Sequence, residues 1–249
     1  MTASSINTTR TSATSAVPAA PDRGHREAGR AADARRASSR ALPIAAGAAL
    51  LAGPVLWSLG MFTSPPSDSM ADADYIASLA RDTTMTQVSA LFLHYGNLAI
   101  GLGVVAAPTL VRGARGMWAA VVGALLTAIG FLNVSGMVFS DWWNASAGRA
   151  LSPEQAVEVF RGVKEASLLW MWDGTELFSF VGPIVLLAGL ARAGVLGWWS
   201  IGLFVAGVAG LMAFGAGLPV VVAVMVLVGF SPFALVGLRL VQRSRLAQA

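Results

Sequence analysis

Six long apolar stretches separate polar segments whose charges sort by side, and this constrains the chain more than any other feature. A run of ~20 apolar residues is the length that crosses a bilayer as a helix. Backbone polar groups in hydrocarbon must be satisfied inside the segment, which a helix does. The sequence therefore predicts an all-α integral membrane protein with six transmembrane helices, near 41–62, 88–111, 117–140, 167–190, 195–215 and 218–241. Composition agrees: 12% of residues are charged, against about 25% in soluble domains.

The net charge of +4 and pI near 10.6 would suit a nucleic-acid partner. The arginines, however, sit in an N-terminal tail and in short connections beside apolar spans, where they act as an orientation signal. Membrane lipids are expected as partners, and nucleic acid is not. The absence of cysteine excludes disulfides, thiolate chemistry, zinc–thiolate sites and iron–sulfur clusters. An Ala-, Gly- and Arg-heavy chain with a single lysine also has the character of a GC-rich bacterial genome.

Residues 1–40 hold seven arginines and almost no large apolar side chains. They read as a disordered basic cytoplasmic tail, because such a segment buries too little surface to offset its ordering entropy. Residues 41–241 form the six-helix domain and 242–249 a C-terminal cytoplasmic tail. Arg112 and Arg115, Arg192, and the terminal Arg239, Arg243 and Arg245 lie in connections without acids. With the basic tail they mark the cytoplasmic side, so both termini are inside a multi-pass plasma-membrane protein. Trp57, Trp142, Trp143, Trp170 and Trp172 fall at the outer boundary of this frame, and Trp118, Trp198 and Trp199 at the inner one. Tryptophan favours the headgroup level because its ring is apolar and its N–H polar.

The two long outer loops, near 63–87 and 141–166, each predict a short amphipathic helix. Ser152-Pro153-Glu154-Gln155 reads as an N-cap, a proline at the first helical position and a capping-box glutamine. Val159, Phe160 and Val163 then share one face, as do Tyr75, Ile76 and Leu79 in the first loop. Pro183 and the pair Ser231-Pro232 permit kinks within the fourth and sixth spans.

Polar side chains recur at one depth in the outer halves of the spans. Asp173 and Glu176 are the acids of the fourth span, three residues apart on one helix face. His94 and Asn97 lie in the second span and Asn133 in the third. Carboxyl groups in hydrocarbon are costly and face a bundle interior or water. These five residues therefore predict an outward-facing polar pocket between the second, third and fourth helices. Too few ligands are at hand for a metal site or a bis-histidine haem, and no cofactor is expected. No phosphate-binding loop, nucleophile elbow or zinc-protease motif occurs.

Three functions suit this layout. The first is binding or moving a small solute or ion through the outer pocket. The alternative is a membrane-embedded enzyme using Asp173 or Glu176 as an acid on an apolar, isoprenoid-like substrate. The third is a non-catalytic accessory subunit, whose partner is another subunit instead of a small molecule. The inner halves of the spans hold few polar groups, Ser200 and Ser231 foremost, which disfavours a continuous polar route.

Overall fold

A computed structural model describes residues 23–69, 71–215 and 217–246, with side chains described from residue 41 onward. All regular structure among the described residues is helical. The helices are α1 (Arg23–Thr63), α2 (Asp72–Arg81), α3 (Thr83–Val104), α4 (Met117–Met137), α5 (Ser140–Ala150) and α6 (Pro153–Lys164). They continue with α7 (Leu169–Asp173), α8 (Phe178–Arg192), α9 (Trp199–Phe214), α10 (Pro219–Gly229) and α11 (Ser231–Leu246). Contacts divide the chain into residues 1–39 and 40–249. Backbone 23–40, expected as part of a disordered tail, is helical; its alanines and arginines are strong helix formers, whatever they bury. The rest of that tail, residues 1–22, lies outside the described residues.

Four helical runs are long and apolar enough to cross a membrane: Ala41–Thr63, Met117–Ala150, Leu169–Arg192 and Pro219–Leu246. The second, at 34 residues, exceeds the ~20 that hydrocarbon requires. A turn at Val138–Phe139 divides it into α4 and α5, and α5 packs against α2 and α6. Helix α3 has 22 residues, and His94, Tyr95 and Asn97 dilute its apolar character. Helix α9 is apolar but has only 16. Large apolar side chains such as Leu102, Leu125, Ile129, Met212 and Val224 stand exposed along these helices. In water that surface would be a liability; against lipid it is not.

Glycine sets the closest packing. Gly116, Gly123 and Gly130 recur every seven residues towards α8, and Gly182 and Gly189 answer from it. A Cβ at Gly123 would overlap the backbone of Leu186, one at Gly130 that of Ser179, and one at Gly182 that of Thr127. Backbones in such contact are the small-residue packing of membrane helices. Gly207 and Gly229 do the same for α9 and α10, and Gly47 and Gly237 for α1 and α11.

The centre of the bundle is aromatic. Phe131, Phe204 and Phe233 are wholly buried, and Phe230 lies 5.4–5.9 Å, ring centre to ring centre, from these three and Trp57. Phe230 sits where the last apolar stretch breaks into α10 and α11. Pro232 has no N–H to give the carbonyl four residues back, that of Val228. The Ser231 hydroxyl donates to that carbonyl instead, at 2.6 Å. The expected kink at Ser231-Pro232 is thus present, while α8 runs unbroken through Pro183.

Trp57 is buried in the bundle, where its Nε1–H donates to Asn97 Oδ1 at 3.0 Å. One expectation needs correction. The fourth apolar stretch is not one continuous helix. After α7, residues 174–177 form tight turns in which Glu176 N–H donates to Asp173 O at 2.9 Å and Ser179 N–H to Glu176 O at 2.8 Å. The Thr175 hydroxyl takes up Trp172 O at 2.8 Å, a local competition that shortens the helical repeat.

At one end of the bundle α2, α5 and α6 form a cap. Tyr75 donates to Asp141 at 2.5 Å, Arg161 Nε reaches Asp72 at 3.0 Å, and the rings of Tyr75 and Phe160 lie 5.8 Å apart. Ile76 and Leu79 are buried beneath. The capping box of α6 is present as its sequence predicts, Gln155 N–H to Ser152 Oγ at 3.3 Å and Ser152 N–H to Gln155 Oε1 at 3.2 Å. Glu154's own amide, with the Ser152 hydroxyl, holds its exposed carboxyl below the usual range. The opposite end carries the arginines of the short connections, where Arg243 donates to the Thr109 carbonyl.

Candidate functional site

The five residues expected to share a pocket are divided by α4. Asn97 is wholly buried and engaged at both ends of its amide: Oδ1 accepts from Trp57 and Nδ2 donates to Leu93 O at 2.8 Å. It ties α1 to α3. On the α3 side of α4, His94 Nδ1 meets Ser135 Oγ at 2.8 Å and Ser135 O at 3.2 Å. On the α7 side, Asn133 Nδ2 donates to Trp172 O at 3.1 Å. Residues 133 and 135 point apart because two helical steps turn through about 200°. Asp173 stands beyond Asn133, and Glu176 in the turn that follows; both are half-buried and neither carboxylate has a hydrogen-bond partner among the described residues. The structure thus brings His94 to Ser135, and Asn133 to the segment bearing Asp173, but not the two groups to each other.

Asp173 forms part of a larger feature. A cavity of about 820 Å³ opens between the end of α4, α5, α6 and α7. Val159, Phe160 and Val163, the apolar stripe of α6, form one wall; Phe139, Trp143 and Trp172 face them. Its polar groups include Asn144, Lys164 and Asp173. Lys164 is engaged by other partners: Nζ lies 4.4 Å over the Phe160 ring and 3.9 Å from Asp72. Asp173 is therefore the unpaired charge on the wall, among the described residues. Apolar side chains left exposed in a rimmed concavity mark a binding surface.

The sequence predicts the α6 stripe as one face of an amphipathic helix but does not assign it to a pocket. It also leaves out Phe139 and Trp143, whose rings pack at 5.8 Å. The signal was their spacing of four residues, which fixes a shared face once Phe139 begins a new helix. A second, smaller cavity of about 400 Å³ holds His94, Ser135 and Trp142. Among the described residues no three His, Asp or Glu side chains gather in a geometry suited to a metal ion.

Fold and cavity together define a class: an all-helical protein with four helices long and apolar enough to cross a membrane, capped at one end by amphipathic helices around an apolar pocket. Comparison with protein-family models, curated proteins and solved structures gives no match.

Proposed function

We propose that this is a bacterial plasma-membrane protein of six crossings with both termini in the cytoplasm, and that its capped end faces outward and binds a cationic amphiphile. The arginines of the short connections support the orientation. Helix α3 is long enough to cross, and its His94 and Asn97 are bonded within the protein. Helix α9, at 16 residues, spans about 24 Å, which local bilayer thinning accommodates.

One observation carries the ligand class. Asp173 is an unpaired carboxylate on the wall of an apolar cavity with four aromatic rings, those of Phe139, Trp143, Phe160 and Trp172. Aromatic faces and a carboxylate together attract an ammonium group whose substituents are apolar. The volume suits a single-chain amphiphile, since drug-sized ligands occupy roughly 300–1,000 Å³. The buried cluster of Phe131, Phe204 and Phe233 fills the middle of the bundle, which favours binding at one side over passage of a solute.

The test uses protein in lipid nanodiscs and equilibrium binding of dodecyltrimethylammonium, with dodecyl sulfate and tetramethylammonium as controls. The long-chain cation should bind, and Asp173→Asn should weaken it by about tenfold, the effect of losing one charged contact of ~1.4 kcal/mol. Equal binding of the sulfate, or an unaltered D173N affinity, would discard this ligand class.

A further inference from the structure

The end of the bundle opposite the cap carries a surface of its own. Helices α4 and α8 run antiparallel along their glycine seam, so the start of α4 lies beside the end of α8. The seam closes where Gly116 abuts the Gly189 carbonyl, and a Cβ on Gly116 would also lie 3.2 Å from Ala193 N. Arg115 and Arg192 each stand one residue before these contacts. Two segments distant in sequence thus bring an arginine to the same place. Arg112 lies in the same turn as Arg115, which Gly113 and Gly116 form with left-handed backbone, φ 85° and 76°. Arg112, Arg115 and Arg192 are all exposed, and none makes a hydrogen bond or ion pair among the described residues.

Like charges gathered in this way repel, and the flanking chain supplies no carboxylate to offset them. Asp and Glu are absent from residues 83–140 and from 177 to the last residue. An orientation signal needs arginines near the ends of spans, but not their convergence. Below them α4 presents an apolar stripe. Trp118, Val122, Leu125 and Ile129 are exposed, and their spacings of four, three and four residues set them on one helix face. The stripe is ~16 Å long, about the depth of one leaflet of a ~30 Å hydrocarbon core. Trp118 at its head, with the exposed Trp198 and Trp199 after α8, marks the headgroup level.

Unpaired guanidiniums above an apolar stripe complement a headgroup phosphate above acyl chains. We propose that this face binds an anionic phospholipid, its phosphate held by Arg112, Arg115 and Arg192 and its chains laid along Trp118, Val122, Leu125 and Ile129. Guanidinium offers phosphate paired N–H donors in a fixed fork. A zwitterionic headgroup fits less well, because its own cation would meet the arginines. A second copy of the chain fits less well too, because a two-fold contact on this face would set the same arginines against each other. The site depends neither on the cation pocket nor on which side of the membrane this end faces.

The experiment places a bimane fluorophore at Leu125→Cys in this cysteine-free chain and reconstitutes the protein into vesicles. These mix dioleoylphosphatidylglycerol with dioleoylphosphatidylcholine, one of the two carrying brominated chains that quench the fluorophore on contact. Exchanging which lipid is brominated gives their relative occupancy of the stripe. The phosphatidylglycerol should be favoured by at least about fivefold, the effect of one arginine near an anionic headgroup. A bimane at Val224→Cys, exposed on α10, should report no such preference. Arg115→Gln with Arg192→Gln should bring the two lipids close to parity at Leu125→Cys, while R115K with R192K should keep most of the preference. Arg239→Gln with Arg245→Gln removes the same charge from the same end and should leave the preference in place. Equal quenching by the two lipids at L125C overturns the site. So does an equal preference at V224C, or an equal loss in R239Q with R245Q, since either would mark general attraction to a charged surface. No cation enters this measurement, so its outcome is separate from that of the pocket.

Discussion

The amide of Asn97 has both ends engaged, and its removal leaves a buried indole N–H on α1 without an acceptor. Asn97→Leu should therefore destabilise the protein by about 1–3 kcal/mol, read from thermal unfolding in nanodiscs. Adding Trp57→Phe should recover part of the loss, because it removes the stranded donor. A neutral N97L would mean that this contact does not hold α1 to α3. Asp173 is the contrasting case. It makes no hydrogen bond among the described residues, so Asp173→Asn should leave stability unchanged while weakening the long-chain cation. A stability loss in D173N would mark the carboxylate as structural. Both residues occupied one layer in the sequence, and depth alone could not separate them. What separates them is the direction of each side chain around its helix and the partner it meets there. For Asn97 that partner is Trp57, forty positions earlier and expected at a boundary.

Among the elements, α4 and α8 make the closest pair. The seven-residue glycine spacing lets their backbones meet, so Gly130→Ala, which would drive a Cβ into the backbone of Ser179, should cost about 1–3 kcal/mol as overpacking. Gly202 in α9 has no atom near its would-be Cβ. Gly202→Ala should instead stabilise by about 0.5–1 kcal/mol through helix propensity. Comparable melting temperatures for the two variants would contradict the close approach. At the cap, Ser152→Ala removes one half of the α6 capping box and should cost about 1 kcal/mol, seen as faster amide exchange in the first turn of α6. The capping box was legible because its signals lie three residues apart on one strand of sequence. The Ser231-Pro232 break was legible for the same reason: a missing N–H acts four residues away. The α4–α8 glycines were not, since their meaning depends on which two of several apolar helices pair. The turn at 174–177 was hidden too, because Gly174 and Thr175 are tolerated in a helix and act only through Trp172 O.

At the scale of the whole molecule, charge and hydropathy suffice to predict a helical membrane protein, because both are summed over ~20 residues and survive local error. The cap is less accessible to such sums: α2, α5 and α6 come from two distant loops and are joined by Tyr75–Asp141 and Arg161–Asp72. Only their union creates the large cavity. The protein contains no native cysteine, so single thiols can report on both orientation and occupancy. Val163→Cys places one in the cavity wall on α6, and Gln242→Cys one at the exposed end of α11. The decisive measurement labels each variant in intact cells with a membrane-impermeant maleimide, with and without dodecyltrimethylammonium. V163C should react from outside and be protected by the cation but not by dodecyl sulfate, while Q242C should react only after permeabilisation. Labelling of Q242C in intact cells, or a V163C thiol that the cation leaves fully reactive, would contradict an outward-facing pocket for a cationic amphiphile.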